Sequence, residues 1–159
     1  MTTIYLTLAQ AIDVHRKTVE MSGGGALGHL DLGLLEEVLA HIQNDDYYPS
    51  FEEKLTHLFF SACKFHCFQD GNKRIAITLC AQMLLFNGYL YCTSQFLRDM
   101  ENISYHVAAG CIDKALLGDL IAATLADEAD DESLKLRLLL AIRRMMFGGF
   151  KSKVLTRTR

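Results

Sequence analysis

The chain predicts an all-α fold in one globular domain with an added C-terminal helix. Three observations carry this. Half of the 159 residues are hydrophobic, enough for a core without disulfide staples. Only one proline occurs, and apolar residues recur at spacings of three and four while β-branched residues rarely alternate.

A first helix is expected from Leu8 to Glu20, broken at Gly23-Gly24-Gly25. Gly23 to Gly28 spells Gly-x-Gly-x-x-Gly, but an amphipathic helix precedes it where a dinucleotide fingerprint needs a strand, so it reads as a turn. Asp31 is placed to cap a second helix running to about Gln43, with Leu32, Leu35, Val38, Leu39 and Ile42 as its apolar stripe. Asn44 to Pro49 is a polar, aromatic loop. Pro49-Ser50 opens a third helix that carries helical spacing from Phe51 to Phe65. The pattern resumes from Ile75 to Phe86 and ends at Asn87-Gly88, a C-terminal glycine signal. Tyr89 to Cys92 is expected to be extended. Thr93 or Ser94 can cap a fifth helix, and shorter helices are expected over Tyr105 to Ala109 and Lys114 to Leu125. The last helix should run from Ser133 to Phe147 and stop at Gly148-Gly149.

Charge divides the chain. Asp127 to Glu132 is an acidic run, after which eight basic residues and no acids follow, so the formal net charge of -3 leaves -11 for residues 1–132. Residues 1–126 therefore form the expected main domain. Residues 127–159 are an acidic linker, a helix and a basic tail packed on it or extending it. The Leu-rich face of that helix suits the bundle, a second copy or a partner, which makes a homo-oligomer one expectation. Aromatic residues are sparse in the basic tail, so nucleic acid is not expected as a partner. Five cysteines without a Cys-x-x-Cys pair, no leader-like start and no apolar run of about 20 residues fit a soluble cytoplasmic protein, with no membrane partner. Cys63, His66 and Cys67 have helical spacing, but no second ligand cluster completes a zinc tetrahedron.

Chemistry concentrates in His66-Cys67-Phe68-Gln69-Asp70-Gly71-Asn72-Lys73-Arg74, at the joint between two helices. An imidazole there can take a proton from a hydroxyl near neutral pH. Asp70 is a hard oxygen donor suited to magnesium, which keeps several waters and needs few protein carboxylates. Gly71 allows close backbone approach to an anion, and Asn72 is placed to cap the second helix. Backbone N–H groups from Gly71 to Lys73 can meet phosphate oxygens. Lys73 and Arg74 put cations where the helix dipole opposes them, costing about 0.3–1 kcal/mol each if exposed, which a bound polyphosphate would offset. Arg74 can grip two oxygens at once and Lys73 is a point charge for a transferred group. His57, among Leu55, Leu58 and Phe59, reads as a core or boundary histidine.

His-x-Phe-x-Asp-Gly-Asn-Lys-Arg resembles the signature of the Fic/Doc family, and within it the death-on-curing (Doc-like) branch. Ser22-Gly23-Gly24 with Gly28, Asp31 to Glu36, Tyr47-Tyr48-Pro49-Ser50 before Glu53-Lys54, and Asn87-Gly88-Tyr89 follow in the same order, so the resemblance covers about residues 4–125. It implies a Fic/Doc-like helical bundle with a short flap or extended segment. His66 matches the family's catalytic histidine, Asp70 its metal-supporting acid, and Gly71, Asn72, Lys73 and Arg74 its nucleotide loop. The position of Phe68 implies a side chain turned inward to pin the loop. Tyr47 and Tyr48 fall on the flap that aligns a target protein's backbone.

In the wider family the signature continues Gly-Asn-Gly-Arg with a second arginine three residues later, and such members resemble enzymes that transfer AMP. Here Lys73 takes the second glycine position and Ile77 that of the second arginine. Both departures resemble the Doc branch, which implies the toxin of a toxin-antitoxin pair: a kinase using ATP and Mg2+ to phosphorylate a serine or threonine of a translation elongation factor, restrained by an antitoxin. Adenylyl transfer, or a silent nucleotide-binding or interaction module, is the alternative. Thr124 to Glu128 is a near miss to the inhibitory Ser/Thr-x-x-x-Glu-Gly/Asn pattern.

Overall fold

The computed structural model describes residues 2–29, 31–68 and 71–155, without the side chains of 148–155. Seven helices and no strand occur among them: α1 (Leu8–Met21), α2 (Leu32–His41), α3 (Phe51–Lys64), α4 (Asn72–Phe86), α5 (Leu90–Ala108), α6 (Lys114–Leu125) and α7 (Glu132–Leu155).

The early boundaries follow from capping chemistry. Thr7 and Gln10 form a reciprocal capping box at α1, as Ser50 and Glu53 do at α3, each satisfying two backbone N–H groups that a helix start otherwise orphans. Asp31 caps α2 through Leu34 N at 2.9 Å, and Asp113 caps α6 through Leu116 N at 2.8 Å. After α1 the chain turns through Gly23, Gly24 and Gly25 at φ 94, 93 and 150°, a left-handed path that glycine takes without steric cost. The Gly-x-Gly-x-x-Gly spelling is therefore a helix-ending turn.

α3 and α4 form the centre. α4 packs on α1, α3 and α5, while α3 also meets α2 and α6. Leu55, Leu58, Phe59, Leu79, Met83 and Leu84 are fully buried, each such burial contributing about 1.5–3 kcal/mol. Surrounded on three sides, α4 is apolar over most of its circumference, as a central helix must be. The N-terminal segment is stitched across its far end: Ile4 N donates to Asn87 Oδ1 at 2.8 Å, and Asn87 Nδ2 donates to Ile4 O at 2.9 Å. Gly88 turns the chain there at φ 85°.

Three expected boundaries are corrected. Tyr89 to Cys92 is not extended, because α5 starts at Leu90 with Tyr89 as an N-cap that makes no side-chain cap bond. Packing wins over local capping here: Cys92, Phe96, Met100, Ile103 and Val107 are buried along one 19-residue helix, so Tyr105 to Ala108 is its end and not a separate turn. α7 continues through Gly148-Gly149 to Leu155. Glycine in a helix interior costs about 1 kcal/mol relative to alanine and does not by itself terminate one.

α7 leans on α6, with Leu134 buried and Leu138 and Ala141 packed on the core. No helix of the described residues is long and apolar enough to cross a membrane.

Candidate functional site

The His66–Arg74 segment leaves α3 and enters α4. After the C-cap Phe65, His66 adopts φ 48°, the left-handed region that non-glycine residues enter at a cost and that clusters at functional sites. His66 is exposed, whereas Cys67 and Phe68 are buried. This alternation turns the imidazole outward and anchors the chain beneath it.

Phe68 is 1% exposed, stacks on the His15 ring at 3.8 Å, and meets His29 edge-on at 5.8 Å. It turns inward as expected. Around it, Asp31 N donates to Cys67 O at 3.0 Å, and His29 forms an isolated antiparallel bridge with Phe68. The segment before α2 thus braces the loop.

Asn72 is not a cap. Gly71, at φ 80°, is the N-cap of α4 and has no side chain to close the first turn. Asn72 reaches backward instead: Phe68 N donates to its Oδ1 at 3.1 Å, and its Nδ2 donates to Phe68 O at 2.8 Å. The amide thus pairs with both backbone groups of Phe68, as a strand partner would.

A Cβ on Gly71 would stand 3.4 Å from Arg74 Nη2 and 3.4 Å from Val19 Cγ2. Arg74 therefore folds over the turn against α1. Lys73 is exposed, with Nζ 5.3 Å from the Tyr105 ring centroid on α5. Ile77 is 9% exposed and belongs to the core, so an apolar contact occupies the place of the family's second arginine. His66, Gly71, Lys73 and Arg74 share one helix-loop-helix joint. Asp70, expected to hold a metal and to contact nucleotide, lies outside the described residues. Among the described residues no group of three or more His, Cys, Asp or Glu side chains could hold a metal. Burial lifts the Cys63 thiol to about 12 and the Cys67 thiol to about 11.

The loop after α2 is strapped down. Buried Lys54 donates to Ile42 O at 2.9 Å and to Asp45 Oδ1 at 2.7 Å, and lies 5.6 Å from the Tyr5 ring centroid. Burial works against its charge, yet the bonds to Asp45 and Tyr5 leave its pKa raised. Tyr47 is 68% exposed, while Tyr48 is half-buried and hydrogen bonds with His41 Nδ1 at 3.0 Å. Tyr48 and His57 stand with ring centroids 4.7 Å apart.

These rings separate two cavities. One, of about 580 Å³, is lined by His41, Asn44, His57 and Phe65 and reaches the residue before His66. The other, of about 700 Å³, is lined by Tyr47, Tyr48, Glu52, Lys114 and Asp119.

His57 is a boundary residue with an unforeseen partner. Lys114 Nζ donates to its Nδ1 at 2.8 Å, which puts the imidazole proton on Nε2. Burial first, then Lys114 and His41, lowers the His57 pKa to about 4. Sequence reasoning missed this contact because the partners lie 57 residues apart and neither belongs to a motif. Thr124 sits in α6 with its hydroxyl donating to Leu120 O at 3.0 Å, but Glu128 falls past the helix end at Leu125. The near-miss inhibitory pattern therefore does not lie on one helix.

No curated protein and no solved structure matches the chain. The family model described as Fic/DOC family matches residues 5–84, half of the chain, from the segment before α1 through most of α4, with the His66 joint inside it. On that match the chain belongs to the Fic/DOC family.

Proposed function

We propose that the protein is a Doc-like toxin that transfers the terminal phosphate of ATP to a serine or threonine hydroxyl of a protein target. Family members are usually nucleotide-transferring enzymes that use ATP, typically with a divalent metal. The observation that carries the finer reading is the pair of substitutions in α4. Lys73 fills the position of a glycine that would leave room for α and β phosphates, and Ile77 is buried where a second phosphate clamp would stand.

In this reading His66 accepts the proton of the target hydroxyl while that oxygen bonds the γ phosphorus and the bond to the bridging oxygen breaks, releasing ADP. Such general-base assistance contributes about 10²–10⁴ in rate. Arg74 and the start of α4 hold negative oxygens near the positive end of the helix dipole. Lys73 supplies a point charge to the transferred group. The donors at the joint suit an anion, and Asp70 is the single carboxylate that the reading assigns to Mg2+, an ion that needs only one or two. Bound there, Mg2+ would neutralise developing charge on phosphate oxygens.

Tyr47 and Tyr48 on the flap, and the 580 Å³ cavity that ends at Phe65, offer a path for a target segment to His66. The target class is a translation factor and the restraint a separate antitoxin, in the cytoplasm. Adenylyl transfer is the second reading. ATP labelled at the γ position and ATP labelled at the α position separate the two: γ label on the target supports phosphoryl transfer, and α label alone overturns it.

A further inference from the structure

α7 has two apolar faces. Leu134, Leu138 and Ala141 meet the core. Leu136, Leu139, Leu140, Met146 and Phe147 lie on another face and are 56, 53, 45, 71 and 57% exposed. Counting along the helix, 136, 140, 143 and 147 recur at intervals of four, three and four, which is one continuous stripe. Arg143 does not interrupt it, because its guanidinium lies 5.4 Å from the Phe147 ring centroid. A stripe of this kind on a solvent-facing helix marks an interaction surface.

The charge along α7 is ordered. Asp127, Glu128, Asp130, Asp131 and Glu132 stand at or just before its N-terminal end, Arg143 lies at its midpoint, and Arg144, Lys151 and Lys153 fall in its second half. Asp130 already pairs with Lys135 at 2.8 Å, and Asp131 caps Leu134 N at 2.9 Å. Asp127, Glu128 and Glu132 thus remain as the acids best placed to meet cations from outside.

We propose that this stripe pairs with the same stripe of a second copy, with the two α7 helices antiparallel. A parallel pair would set acids against acids and bases against bases. The antiparallel pair joins acidic end to basic end twice through one two-fold axis, and opposes the helix dipoles. Other occupants match the charge less well. An anionic lipid surface would attract the basic half but repel residues 1–132, which carry the chain's negative excess. A uniformly acidic helix of another protein would be repelled by the acids at the start of α7. The axis falls at the level of residue 141, midway between Leu136 and Met146, so that Leu136 faces Met146 of the other copy.

Sedimentation equilibrium tests the pairing. The full chain should reach about twice its 17.9 kDa mass. Added salt should weaken the dimer, because the pairing charges lie at a solvated rim. Leu139→Glu should raise the dissociation constant at least about tenfold, since it charges a position that association would bury, with unchanged circular dichroism because the site is exposed in one copy. In a Cys111→Ser background, a short bis-maleimide should join Leu136→Cys protein to Met146→Cys protein when the two are mixed. Leu136→Cys protein alone should stay unjoined. A monomer at every concentration up to roughly 100 μM, a range that would detect even modest affinity, overturns the proposal. So does joining within Leu136→Cys protein alone, or a monomer that pellets with vesicles of anionic lipid.

Discussion

Lys114 Nζ sits 2.8 Å from His57 Nδ1, so α6 fixes the tautomer of an imidazole on α3 whose ring centroid lies 4.7 Å from that of Tyr48 in the loop after α2. The start of one helix thereby sets the wall between the two cavities beside the His66 joint.

This contact predicts acid sensitivity. The folded-state pKa of His57 is lowered from 6.5 to about 4, so the folded state favours the neutral ring. Its contribution to stability is fully present above pH 6.5, declines as pH falls towards about 4, and is gone below that. His57→Gln should flatten this part of the stability profile, measured by urea unfolding across the window. A profile unchanged by the substitution would contradict the assigned environment.

Lys54 should matter more than its type suggests. Lys54→Met keeps the buried stem but removes the donor to Ile42 O and Asp45 Oδ1, leaving a carbonyl unpaired at a cost of about 1–3 kcal/mol. Hydrogen exchange should then rise for the backbone amides of residues 44–48. Unaltered protection there would mean that this loop is held by its own turns.

Gly71→Ala should cost about 1–3 kcal/mol, because φ 80° is strained for a side chain. The added methyl must also press against Arg74 and Val19. Thermal unfolding measures the first effect, and loss of transfer activity beyond the lost stability measures the second.

Phe68→Ala should destabilise by about 3–5 kcal/mol, the usual result of emptying a buried aromatic site, because Phe68 fills the space between His15 and His29. His66→Asn should leave stability nearly unchanged, since the ring is exposed and asparagine tolerates the left-handed backbone. Denaturant titration of the two variants should therefore separate the buried anchor from the exposed imidazole.

The parts of this fold that were legible in sequence are those written locally. Ser50 with Glu53, Asp31 before an apolar stripe, and Asn87-Gly88 each announce a boundary through side chains within three or four residues. The start of α5 has no such cap, and burial of Cys92 and Phe96 against α3 and α4 decides it. At the site, the motif named the residues but not their division of labour. Asn72 looks like a cap by type and position, yet its amide is the partner of the Phe68 backbone. Lys114 and Lys54 carry no motif, and their roles arise only when α2, α3 and α6 meet.

The most direct measurement is transfer of γ-labelled phosphate from ATP to protein in lysate, compared between the natural chain and His66→Asn. The account predicts a labelled target with the natural chain and at least about a hundredfold slower labelling with the variant, the lower end of what a general base contributes. Equal labelling by both proteins would contradict it, because the imidazole at the α3–α4 joint would then have no part in the reaction.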